Sequence, residues 1–177
     1  MYTNMFFRTC SSVGRLESLL SAVCISLVLS QKGWFYFMAA NSYQKFSITA
    51  EAAKRMIAAA EEKSRAMGKE MCIAVVDSDG NLKAFSRMDG APLLSVQIAQ
   101  DKAYTSVSFN GMATHEWYDF IKADDPLLQG IVKTDRLVIF GGGYPIKTEQ
   151  GIIGGIGVSG GHWTEDMEVA QAGLAGL

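Results

Sequence analysis

Residues 140–174 read FGGGYPIKTEQGIIGGIGVSGGHWTEDMEVAQAGL and hold ten of the chain's 18 glycines. The stretch reads as a strand, a tight hairpin, a glycine-studded strand, a glycine turn and a closing helix. Glycine inside a strand forgoes side-chain packing, and it marks a place where another backbone or a ligand comes close. Alternation sets Ile152, Gly154, Ile156 and Val158 on one face and Ile153, Gly155, Gly157 and Ser159 on the other. The second face is partly bare backbone, open to a packed helix or to a flat ligand. Past Gly160 and Gly161 come His162 and Trp163, with Thr164 expected as N-cap of the last helix and Glu165 and Asp166 at its positive end. No Gly-Lys-Ser/Thr follows and the glycines lie within a strand, so a phosphate loop does not fit.

Working outward, 177 residues with 49% hydrophobic content suffice for one globular domain with a real core. Sixteen basic against 18 acidic residues leave a net charge of -2, without the electrostatic footprint of a nucleic-acid or anionic-membrane binder. Cys10, Cys24 and Cys72 have no metal-site or CxxC spacing. Residues 1–37 differ from the rest. Leu16–Ser30 is apolar but too short and too interrupted for a spanning helix, which needs about twenty residues. The expected start of translation is Met38, with 1–37 an extension; a signal peptide, with Arg8 and Arg15 ahead of the apolar run, is the alternative. The first reading places the protein in the cytoplasm, the second in a secreted or periplasmic compartment. The folded domain is expected over 38–177.

Within that domain Ala53, Met56, Ile57, Ala60, Ser64 and Met67 recur at helical spacing between a capping Thr49 and a terminating Gly68. Met71–Gly90 reads as two strands joined through Asp77, Asp79, Gly80 and Asn81. Arg87, near a strand end, is placed to clamp a ligand carboxylate or to pair with Asp89. Pro92 opens a second long helix with Leu93, Val96, Ala99, Ala103 and Val107 as its expected buried stripe. Ser95, Lys102 and Thr105 or Ser106 share the neighbouring edge. Asn110–Arg136 reads as a glycine turn and two short helical pieces, the first carrying His115 among Met112, Trp117 and Tyr118. Leu137–Phe140 reads as a short apolar strand.

Together, VVDSDGNLKAFSRMDGAP, SVQIAQDKAYTS, GGGYPI and GIIGGIGVSGGHWTEDMEVAQAGL resemble the haem-degrading family, the GlcG/HbpS-like domain also found at the C-terminus of PduO-type corrinoid adenosyltransferases. The resemblance covers about residues 46–176. It implies an α+β, profilin-like domain, an antiparallel sheet of about five strands flanked by helices, assembled as a homo-oligomer. The element inventory, read independently, also argues for α+β.

Two functions from different classes follow. In the first, haem or another tetrapyrrole lies against Gly155, Gly157, Ser159 and Gly160. His115 or His162 binds the iron, Met112 and Tyr144 being weaker ligands, and Lys102 or Arg87 pairs a propionate. Asp89 and Thr105 are further candidate ligand contacts. In the second, the chain is a catabolic enzyme acting on a small carboxylated intermediate without a redox cofactor. Arg87 then holds the carboxylate, His115 or His162 moves a proton, and Lys102 acts electrostatically or as a Schiff-base amine. Either way the partner is a small molecule rather than a nucleic acid or membrane.

Overall fold

The computed structural model describes residues 43–177; the expectations for residues 1–37 lie outside the described residues. Helix α1 (Ala50–Ala66) starts where the Thr49 hydroxyl accepts the Ala52 N–H at 3.2 Å. It buries Ala52, Ala53, Met56, Ile57, Ala60 and Ser64, a stripe at three- and four-residue spacing. Gly68, at φ 63°, takes the left-handed conformation that turns the chain away.

Strands β1 (Cys72–Asp77) and β2 (Leu82–Arg87) form the expected hairpin. At its turn the Asp77 carboxylate accepts the N–H groups of Asp79 and Asn81 at 2.9 and 3.0 Å. Partial burial pushes this carboxyl up, but those hydrogen bonds and nearby Lys83 outweigh it and hold it below the usual carboxylate range. The chain continues through α2 (Leu93–Ser108), α3 (Trp117–Ile121), α4 (Asp125–Gly130) and a 3-10 turn at Ile131–Lys133. It closes with β3 (Gly143–Thr148), β4 (Gly151–Ser159) and α5 (Trp163–Leu174).

The class is α+β, and the described residues form an antiparallel sheet of four strands in the order β2-β1-β4-β3. The count is one below the expected five or so, and Leu137–Phe140, expected as a strand, is irregular. The reason lies in its backbone partners. The Thr105 hydroxyl donates to the Arg136 carbonyl at 2.8 Å and accepts the Val138 N–H at 3.0 Å, so a helix side chain replaces a neighbouring strand there.

Helices α1 and α5 cover one face of the sheet, where Met56, Ile57 and Val169 meet Ile73, Val75, Ile146, Ile156 and Val158. Helix α2 covers the other, against Cys72, Ala74 and Val76. Strand alternation predicts these faces except at one point. Opposite β3 the register slips between Ile146 and Lys147, whose partners are Gly154 and Ile152. This bulge exchanges the expected faces of Ile152 and Ile153. Ile153 packs into the α1 and α5 core, while Ile152 reaches Gly111 beyond the end of α2. No helix among the described residues is long and apolar enough to cross a membrane.

The orientation of α2 also departs from expectation. Ser95, Lys102, Thr105 and Ser106 are buried with Ala99 and Ala103, whereas Leu93 is 76% exposed. The glycines of β4 make this arrangement possible. A Cβ at Gly155 would collide with the Ser106 hydroxyl and the Ala103 carbonyl, and one at Gly157 with the Ala99 carbonyl and the Ala103 nitrogen. The bare strand face is therefore filled by helix backbone. Gly155 and Gly157, nominated for a flat ligand, are packing residues.

Candidate functional site

Gly141, Gly142 and Gly143 connect the irregular segment to β3, and three elements converge on them. The Val158 N–H donates to the Gly142 carbonyl at 2.9 Å. Thr114, fully buried, clamps Gly143 from both sides: its N–H donates to the Gly143 carbonyl at 3.0 Å and its hydroxyl accepts the Gly143 N–H at 2.9 Å. That clamp fixes the next residue, His115. The Glu116 carboxylate tightens the same turn by accepting the Ala113 N–H at 2.8 Å.

His115 lines a cleft of about 480 Å³ together with Tyr118, Asp119, Ile139, Phe140, Gly141 and Trp163. This is within the size range of small-molecule sites. Phe140 and Trp163 are each 43% exposed although both are large and apolar. The imidazole lies 5.4 Å from the Tyr144 ring at 47°. Its Nδ1 is sealed from solvent and has no hydrogen-bond partner among the described residues. Tyr144 accepts a bond from Gln171 at 3.1 Å, and burial raises its phenol above the usual value.

Behind Phe140 lies a buried ion pair. The Lys102 ammonium, fully buried, donates to Asp166 at 2.6 Å and to the Val158 carbonyl at 2.9 Å, and stands 4.9 Å from the centre of the Phe140 ring. The second Asp166 oxygen accepts the Gly161 N–H at 3.0 Å. Burial favours the neutral form of each partner, pushing the lysine down and the aspartate up, and each one's charge opposes the shift of the other. Gly142 leaves room for this pair, since a Cβ there would lie 2.8 Å from the ammonium nitrogen.

The other nominated residues lie elsewhere. His162, not Thr164, is the N-cap of α5. Its N–H donates to Glu165 at 2.9 Å, and its Nδ1 is 2.8 Å from the Thr164 hydroxyl. A ring nitrogen acting as the cap acceptor is outside the usual Ser, Thr, Asp and Asn set, which is why the pattern favoured Thr164. Trp163, the next residue, lines the cleft instead. Arg87 donates to the Ala91 carbonyl at 2.9 and 3.2 Å rather than pairing with Asp89. Arg87 and Asp89 line a separate depression with Glu61, Arg65 and Ser86. Thr105 is committed to the 136–138 backbone, Ser159 is buried beside Cys72 in the sheet, and Gly160 packs against Glu70 and Met71.

Of the four residues nominated for proton and carboxylate chemistry, His115 alone lines the cleft, and neither cation assigned to a propionate faces it. Tyr118 was read only as an aromatic neighbour of His115 and Asp166 only as an acidic residue at the start of the last helix; Phe140 was given no site role. Phe140 and Tyr118 carry no motif, and Asp166 finds its lysine 64 positions away, beyond any local spacing rule.

A family model described as haem degrading protein HbpS-like matches residues 48–175. An uncharacterized 15.0 kDa protein in the dhaT-dhaS intergenic region of Citrobacter freundii is 38% identical over 136 residues, 76% of this chain and 94% of that one. The crystal structure of Klebsiella pneumoniae protein ORFY is 35% identical with a TM-score of 0.70, covering 76% of this chain and 93% of that one. The crystal structure of a PduOC:heme complex is 31% identical with a TM-score of 0.68, over 74% of this chain and 95% of that one. With a family match spanning nearly all the described residues, this chain belongs to the HbpS-like haem-degrading family.

Proposed function

We propose that this protein binds haem or a closely similar tetrapyrrole in the cleft of His115, Phe140 and Trp163, with the His115 imidazole as iron ligand. The observation that carries the reading is a histidine set among aromatic walls: His115 lines a space of about 480 Å³ together with the exposed rings of Tyr118, Phe140 and Trp163. The donor set suits the group, because imidazole is a common axial ligand and aromatic walls match a flat macrocycle. The likeness to a protein crystallised with haem supports it further. Bound haem supplies ligand exchange and electron transfer at its iron. The chain supplies the imidazole and the Phe140 and Trp163 walls that exclude water. Among the described residues no lysine or arginine lines the cleft, so Lys102 and Arg87 are not assigned to a propionate. We further infer a homo-oligomer, supported by the exposure of Leu93 and Leu94 at 76% and 73%.

Haemin titration of the full chain tests the cleft. The Soret band is expected to shift on binding, and His115→Ala to weaken binding at least about tenfold, a loss of some 1.4 kcal/mol. His162→Ala, at an exposed cap, is expected to leave the spectrum unchanged. Equal spectra and affinity for the wild type and His115→Ala would overturn the assignment.

A further inference from the structure

The chain winds helically from Ala113 to Lys122. The Glu116 N–H donates to the Ala113 carbonyl at 3.0 Å, the Phe120 N–H to the Glu116 carbonyl at 3.1 Å and the Lys122 N–H to the Tyr118 carbonyl at 2.9 Å. Residues three or four apart therefore share a face. Trp117 and Ile121 take the buried face, at 2% and 0% exposure. His115, Tyr118 and Asp119 form another stripe, and all three line the cleft. The next position of that stripe is Lys122, three residues beyond Asp119 and four beyond Tyr118.

Lys122 stands outside the lining residues, one hydrogen bond from one of them. Its ammonium donates to the Asp119 carboxylate at 2.6 Å, and the two side chains are 52% and 73% exposed. An ion pair so open to water contributes little, so exchanging one carboxylate partner for another costs little. The long stem of lysine lets the ammonium swing without any movement of the backbone. Lys102 has no such freedom, enclosed as it is by Asp166, the Val158 carbonyl and the Phe140 ring.

We propose that Lys122 is the carboxylate partner of the His115 cleft, an inference that rests on the haem reading of that cleft: when a tetrapyrrole binds, the ammonium leaves Asp119 for one of its propionates. A macrocycle held by its iron and its faces presents the propionate at a high effective concentration, which favours this exchange over capture of free acids from solution. Asp119 acts in the opposite sense. It competes for the same ammonium and, once released, repels a carboxylate brought beside it. The lysine is thus a selector for rings that carry acid groups, and the aspartate a brake on their affinity.

Haemin and haemin dimethyl ester separate these effects, because they share iron and ring while the ester lacks the free carboxylates. Both are titrated into the full chain at low ionic strength and followed at the Soret band. Lys122→Met is expected to weaken haemin about fivefold and Lys122→Glu about tenfold, with the loss confined to haemin. Asp119→Asn is expected to tighten haemin about threefold. Salt at about 0.5 M should shrink all three differences. Unwinding of α3 by the substitutions would instead weaken haemin and ester alike. The proposal is overturned if Lys122→Glu binds haemin as the wild type does, if it weakens haemin and ester equally, or if Asp119→Asn weakens haemin. A wild type whose Soret band responds to neither ring overturns the His115 reading and this one with it, whereas normal haemin binding by Lys122→Glu overturns the lysine assignment alone.

Discussion

The Lys102 ammonium has three protons and three neighbours: the Asp166 carboxylate, the Val158 carbonyl and the face of Phe140. An ion pair this deeply buried contributes little net stability when intact, but it is costly to break, because removing one partner leaves the other charged and unpaired in the interior. Lys102→Met is therefore expected to lower unfolding stability in urea by about 3–5 kcal/mol, and Lys102→Met with Asp166→Leu to recover most of that loss. A double variant no more stable than the single one would show that the packed stem of the lysine, rather than its charge, carries the effect. At this scale the sequence made His115 legible, as one of only two histidines among soft and aromatic neighbours. It did not make Lys102 legible. Helical spacing set the lysine on a polar edge, and only the glycines of a strand far along the chain allow that edge to turn inward.

The contact between α2 and β4 explains why those glycines stand where they do. At Gly157 an added Cβ meets helix backbone, which cannot rotate aside as a flexible side chain can. Gly157→Ala is expected to push the helix off the sheet and destabilise by about 1–3 kcal/mol, measured as a fall in thermal midpoint. Gly130→Ala is the matched comparison: it lies in α4 with nothing within 4 Å of the new Cβ and no left-handed backbone, so it is expected to be neutral or slightly stabilising. Equal effects at the two positions would remove the packing account. Element types and order were largely readable, since α1, the first hairpin, α2 and the closing hairpin and helix all carry period and punctuation. The β4 bulge was not, because strict alternation has no mark for one extra residue, and the shift exchanges the faces of Ile152 and Ile153. Nor was the loss of regular structure at Leu137–Phe140, whose apolar run reads as a strand until Thr105 is seen to take its backbone groups.

The whole domain is a single sheet sandwiched between α1 with α5 and α2, and among the described residues β2 and β3 are its edges. The helix that fills the glycine face presents Leu93 and Leu94 outward at its start, an apolar pair without cover among the described residues. Sedimentation velocity is expected to show a species of at least twice the 19.2 kDa chain mass, and Leu93→Glu with Leu94→Glu to shift it toward the monomer. A wild-type monomer at micromolar concentration would exclude that reading. Fold class was legible at this scale because helices and hairpins alternate without the long crossovers of a parallel sheet. The cleft was not, since its walls come from three separated segments that no linear spacing connects. Finally, the ring of Phe140 shields an amine that the sheet and two helices enclose on its other sides. A water-soluble acylating reagent should modify exposed lysines such as Lys122 quickly, but capture Lys102 only in molecules that have opened. Tandem mass spectrometry of that single site would then time the breathing of the domain, without any ligand or denaturant being added.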